Sequence, residues 1–113
     1  MARTVIALQD IPSEGHIADI TMSAADAANN HELANNGKVL LLVNNADAGP
    51  HEITIVSVAD FAGRFQDIVQ SVVAGDLAIF GPFKPAWWNQ AGGLLHINLD
   101  TDTAVTLAAL RIA

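Results

Sequence analysis

Four histidines, two adjacent tryptophans and twelve carboxylates are the side chains with the means to do chemistry in this chain of 113 residues. His16, His31, His51 and His96 fall in separate stretches, and no two of them stand at i, i+2 or i, i+4. Paired metal ligands on one strand or helix face need that spacing. A cupin-type site needs His-x-His with a downstream Glu, and a blue-copper site needs a thiolate, whereas the chain has no Cys. The expectation is no metal site, with the histidines scattered over loops and strand surfaces. Asp100-Thr101-Asp102-Thr103 begins like a calcium loop but has neither its Gly nor its closing Glu. It reads instead as a turn whose Asp side chains bond their own backbone. There is no Gly-x-Ser-x-Gly elbow, and the carboxylates are too dispersed to assign as an acid–base pair. Ala74-Gly75-Asp76 and Ala91-Gly92-Gly93 are turn glycines rather than phosphate loops, since neither forms Gly-x-Gly-x-x-Gly before a helix. No catalytic or cofactor-binding residue is assigned, and the chain reads as non-enzymatic.

Trp87-Trp88 is the most specific feature. Only six aromatics occur in the chain, two Trp and four Phe. Two large rings together on a loop can stack on a sugar, with Asn89 and Gln90 supplying hydrogen bonds, or can anchor a protein contact. They can also cap the open end of a core. Adjacent residues on an extended segment point opposite ways, so one ring in and one ring out is expected. Gly81-Pro82 and Pro85 stiffen the start of the loop over residues 83–93, and Ala91-Gly92-Gly93 turns the chain out of it. Phe83, Lys84, Trp87, Trp88 and Asn89 are the candidate protein-contact residues.

Composition bounds the rest. A chain of this length is one domain, residues 1–113, able to bury a core without disulfides or metal. Half of it is apolar (51%) and 15% is charged, which fits a compact fold or an assembly subunit. An apolar fraction this high at this size suggests that some apolar surface is buried between chains. The net charge is −7, and the five basic residues, at positions 3, 38, 64, 84 and 111, are never neighbours. That argues against a nucleic-acid groove, which needs clustered Lys and Arg. The start, Met1-Ala2-Arg3-Thr4, has no apolar stretch of the signal-peptide kind, and no run approaches the ~20 residues of a membrane span.

The elements are organised around residues 37–58. The run Val39-Leu40-Leu41-Leu42-Val43, bounded by Gly37-Lys38 and Asn44-Asn45, is too short for an ordinary helix and reads as a strand covered on both faces. His51-Glu52-Ile53-Thr54-Ile55 is β-branched and alternating, and Asn, Asp, Gly and Pro lie between the two runs. A hairpin, or two adjacent strands with a longer loop, is predicted there. Further strands are predicted over 4–8, 16–22, 68–73, 77–80, 94–99 and 103–112. Residues 23–28 open a helical turn capped by Ser23, residues 29–36 form a long ordered loop, and 59–67 a polar connection. About eight strands at this spacing make an all-β sandwich or jelly roll. Leu40, Leu42, Ile53, Ile55, Ile79 and Leu107 are the predicted core.

The order of these motifs carries a resemblance. Asn35-Asn36-Gly37-Lys38 with its apolar strand, Ile53-Thr54-Ile55, Val72-Val73-Ala74-Gly75-Asp76, Ile79-Phe80-Gly81-Pro82-Phe83 and Thr103-Ala104-Val105-Thr106-Leu107-Ala108-Ala109-Leu110-Arg111 together resemble small structural proteins of tailed-phage and prophage head modules. The resemblance covers roughly residues 30–112. It implies a virion component made in the host cytoplasm: a capsid decoration (cement) protein or a related head or tail accessory. It also implies, as partners, further copies of the chain and a major capsid or other virion protein, with no nucleic acid, membrane or cofactor. The alternative kept open is a carbohydrate-binding β-sandwich using Trp87 and Trp88.

Overall fold

The computed structural model describes residues 3–11, 20–58, 67–101 and 103–112. Among them run β1 (Thr4–Val5), β2 (Leu8–Asp10), β3 (Ser23–Ala24), β4 (His31–Ala34), β5 (Val39–Asn45), β6 (His51–Ile55), β7 (Ile68–Val72), β8 (Leu77–Phe80), α1 (Pro85–Trp88), β9 (Leu94–Leu99) and β10 (Val105–Arg111). The strands make a β-sandwich. The first sheet has the order β1-β4-β9-β6-β7; the second has β2-β10-β5-β8, with β3 also paired to β10. His16, Arg64, the polar connection over 59–66, Asp102 and most of the strand expected over 16–22 lie outside the described residues.

Alternation builds the core. Leu33 on β4, Leu95 and Ile97 on β9, and Ile53 and Ile55 on β6 point inward from the first sheet and are fully buried. Val39, Leu41 and Val43 on β5 meet them from the second sheet, with Phe80, Leu107 and Ala109. The central strand therefore has a phase opposite to the predicted one. Leu42 is buried on the outer face instead, in a small cluster with Ala108 and Leu110 against which Ile11, Met22 and Leu40 pack. The covering of both faces is correct for β5. Ile79 is not a core residue: it is 62% exposed, on the outer face of an edge strand. An unbroken apolar run carries no alternation from which to read which face is inside.

The β5–β6 connection is not a hairpin. β5 and β6 belong to opposite sheets, and residues 46–50 cross between them. The crossing is held by Asn45, which has no exposed surface and donates from Nδ2 to the carbonyls of Gly49 and Val72, both at 2.9 Å. Its Oδ1 accepts from the Asp47 amide at 3.0 Å. A buried carboxamide that replaces turn hydrogen bonds frees the chain from the tight pairing a hairpin needs.

The strand expected over 4–8 is split in the same way. β1 pairs in parallel with β4 and β2 in parallel with β10, and the buried Ile6 passes between the sheets. This segment covers one flank of the sandwich by joining both layers. β3 and β4 replace the helix opening and the long loop. The single helical turn that does form is held by Asp26, not Ser23: the Asn30 amide donates to the Asp26 carbonyl at 2.8 Å, and Asn30 ends the turn at φ 59°. β4 is fixed by His31, whose ring is buried between neighbours. Asp26 N–H donates to His31 Nε2 at 2.8 Å, so Nδ1 carries the proton and donates to the Thr4 carbonyl at 3.1 Å. Burial pushes this imidazole below the usual histidine range, against the pull of the Thr4 carbonyl and the Asp26 carboxylate; the charge of Arg3 adds to the lowering.

Candidate protein-contact site

The segment between β8 and β9 is a built platform. Strand β8 ends at Gly81-Pro82, a cis peptide bond. Gly81 has φ +111°, and a Cβ there would lie 2.7 Å from the Val39 carbonyl oxygen, so only glycine fits. The chain then drives Phe83 into the core, where it is 1% exposed. Pro85 starts a single helical turn in which the amides of Trp87 and Trp88 donate to the Lys84 carbonyl and that of Asn89 to the Pro85 carbonyl. Proline suits this first position because its missing N–H has no partner there anyway.

The two tryptophans part company, as expected, but on a helical turn rather than an extended segment. Trp88 packs against the core, edge-on to Phe83 with ring centroids 6.1 Å apart and planes at 74°. Trp87 is 50% exposed, and Lys84 Nζ sits 4.8 Å from its ring centroid, a cation over an aromatic face. Successive helical residues diverge by about 100°, which is enough to send one ring inward and leave the other in solvent.

Asn35, at the end of β4, ties this platform to the sandwich. Its Nδ2 donates to the Phe83 carbonyl at 3.0 Å and to Asn89 Oδ1 at 2.6 Å, while its Oδ1 accepts from the Gly37 amide at 3.1 Å. Asn89 Nδ2 returns a bond to the Asn35 carbonyl at 3.1 Å. On the other side Gln90 Nε2 donates to the carbonyls of Val56 and Ser57, and the Val58 amide donates to the Trp87 carbonyl at 2.8 Å. The segment is thus anchored to the ends of β4 and β6. Of the five candidate contact residues, Lys84 and Trp87 present surface. Phe83 is inside and offers none, Trp88 faces the core, and both ends of the Asn89 amide are engaged within the chain. Asn35 as the hub of this network was not foreseen; its only signal is its place in Asn35-Asn36-Gly37, which reads as a turn.

The described histidines sit apart, each with its own surroundings. His31 uses both ring nitrogens internally. His51 Nε2 lies 2.8 Å from Asp47 Oδ2, and its Nδ1 3.8 Å from Asp100 Oδ1. The Ala48 amide, then the His51 bond, hold the Asp47 carboxyl below its usual range. His96 stands opposite Glu32 across β9 and β4, lowered by burial and by the Arg3 charge against the opposing pull of Glu32. Among the described residues no group of three or more His, Asp or Glu side chains is arranged to hold a metal ion.

No protein family, curated protein or solved structure matches this chain.

Proposed function

We propose that this chain is a non-enzymatic virion structural protein, a phage capsid decoration (cement) protein or a related head or tail accessory, which docks on a protein lattice through Trp87 and Lys84. The observation that carries the docking role is the half-exposed Trp87 on a segment bonded at both ends to a stiff sandwich. A ring held in place before binding loses little freedom on contact, and tryptophan is among the residues most often found at binding hot spots. Lys84 beside it suits an acidic neighbour, adding orientation more than affinity. The virion assignment rests on the order of motifs from Asn35 to Arg111. The sugar-binding alternative is weaker, because the Asn89 amide and Gln90 Nε2, which it needs as hydrogen-bonding partners, are already engaged internally.

The test is co-sedimentation with empty heads of the phage or prophage whose genome carries this reading frame, comparing the parent with Trp87→Ala and Trp88→Ala. Trp87→Ala should melt like the parent and lose at least tenfold in head binding. Trp88→Ala should lose stability, having lost its contact with Phe83. Parental binding by Trp87→Ala, or failure of the parent to bind heads at all, overturns the proposal.

A further inference from the structure

The two flanks of the sandwich are treated differently by the chain. One carries the β1–β2 segment, which adds a strand to each sheet and drops Ile6 between them. The opposite flank ends in β7 on one sheet and β8 on the other, and among the described residues neither has a second neighbour. Between them lies an open groove of about 450 Å³, lined by Ile68, Gln70 and Val72 from one strand and Ala78 and Phe80 from the other. Around it Val69, Val73, Leu77 and Ile79 are each more than half exposed. Edge strands in soluble proteins are ordinarily protected by Lys, Pro, a bulge or a covering segment. Here Gly81-Pro82 only closes the end of β8, and the span from Ile68 to Phe80 holds a single ionisable residue, Asp76.

We infer that this flank is a self-association surface, on which a second copy of the chain seats by antiparallel pairing of β8 with β8. An unpaired edge strand is complementary to its own copy, and the charge distribution permits that occupant. Two copies with net charge −7 repel wherever acidic surface meets acidic surface, and this is a stretch where they can meet with almost none. Antiparallel pairing also keeps the two Asp76 carboxylates apart. With Leu77 of one copy opposite Ile79 of the other, so that outer-face residues meet outer-face residues, the Asp76 residues lie four positions apart along the joint, about 14 Å at ~3.4 Å per residue. That is well beyond the ~8 Å screening length at physiological salt. The same twofold arrangement brings β7 beside β7 in the other layer, so the groove closes from both sides and Val69, Val73, Leu77 and Ile79 meet their counterparts.

Size sets the strength. A five-residue edge is about 17 Å long, and across two stacked sheets it offers a footprint of roughly 400 Å² per copy, about half that of a standard stable interface. The contact is therefore transient in free solution and gains effect where neighbouring docked copies are already held close. It is independent of the docking role proposed for Trp87, which lies in a different segment.

The test is sedimentation equilibrium of the tag-free chain from about 10 μM to about 1 mM, which spans transient contacts of this size class. The weight-average mass should rise toward twice the 11.9 kDa of one chain and stop there. Amide exchange within β8 should slow over the same range, because alternate N–H groups of an edge strand point away from its one neighbour. Ile79→Lys should abolish the rise at an unchanged melting temperature, since Ile79 is already mostly in solvent, and Leu77→Lys should do the same. Trp87→Ala should dimerise like the parent, which separates this surface from the docking one. A parent that stays monomeric at 1 mM overturns the inference. So does a mass that grows without limit, or a dimer that persists in both lysine variants.

Discussion

Replacing Asn35 by alanine is the sharpest test of how the Trp87 platform is held. The side chain is 8% exposed and makes three bonds that alanine cannot make: to the Phe83 carbonyl, to Asn89 Oδ1 and from the Gly37 amide. A buried polar group left without a partner costs about 1–3 kcal/mol. The Phe83 carbonyl belongs to a buried residue and bears the full penalty, whereas Asn89 and Gly37 sit nearer the surface, where water can replace part of what is lost. The expected destabilisation is therefore about 2–4 kcal/mol, a large share of the ~5–15 kcal/mol that holds a domain together. Asn35→Asp should not rescue it. The carboxylate still accepts from Gly37, and Asn89 can turn its amide to donate, but the Phe83 carbonyl then faces an oxygen. Urea unfolding followed by tryptophan fluorescence gives the free energy, and near-UV circular dichroism reports the edge-on Phe83–Trp88 contact. Asn36→Ala is the control: Asn36 is exposed and its Oδ1 accepts one local bond from the Lys38 amide, so the loss should stay below about 1 kcal/mol. If Asn35→Ala costs no more than Asn36→Ala, the platform is held by its backbone bonds alone and the role given to Asn35 is wrong.

Three further outcomes follow from the same geometry. Leu41→Ala should cost about 2–5 kcal/mol and Ile79→Ala less than about 0.5 kcal/mol in chemical denaturation, a difference set by burial and not by their similar hydrophobicity. Gly81→Ala should destabilise by more than about 2 kcal/mol in thermal or urea melts, because its Cβ would strike the Val39 carbonyl at a positive φ. His31 has a folded-state pKa below its unfolded value of 6.5, so the unfolded chain binds the extra proton first. Its contribution should be complete above pH 6.5 and decline as pH falls below it, with the imidazole titrating by NMR at a lower midpoint than a free histidine; a midpoint at or above 6.5 would refute the buried neutral ring.

Local patterns were legible where one strand face is polar. β9 alternates Leu95, Ile97 and Leu99 with His96 and Asn98, β10 alternates Val105, Leu107 and Ala109 with Thr106 and Ala108, and both strands and their inner faces match the pattern. β5 is apolar on both faces, so its existence was legible but its phase was not. β4 was hidden because His31 and Glu32 sit between runs of asparagine. What makes it a strand is tertiary: the pairing of Leu33 with Leu95 and the two internal bonds of the His31 ring. The sheet crossings at residues 46–50 and at Ile6 were also out of reach, since turn residues announce a change of direction and not which sheet receives the chain. At the candidate site, the separation of Trp87 from Trp88 was readable from their adjacency alone. The burial of Phe83 was not, because it depends on Gly81 letting the backbone pass against Val39.

The high apolar content has two physical destinations, which composition cannot tell apart. Part of it is buried within the chain in an unexpected place. Leu42, Ala108 and Leu110 lie on the outer face of the second sheet, a face that an antiparallel sandwich commonly leaves polar and wet, and Ile11 and Met22 pack against them. The cover is uneven across that face. The β10 and β5 columns are buried, while Leu77 and Ile79 on the neighbouring β8 column stand more than half exposed. Gln9 fixes the position of this cover: its amide donates to the Thr21 carbonyl at 2.8 Å and accepts from the Thr21 amide at 2.9 Å, pinning residue 21 beside β2 at the far side of the sheet from β8. Thr21 is thus held away from β8, whose outer residues stay exposed. The apolar surplus thus includes an internal cluster on one side and, on the other, an exposed aliphatic edge with one carboxylate, the surface inferred above to take a second chain.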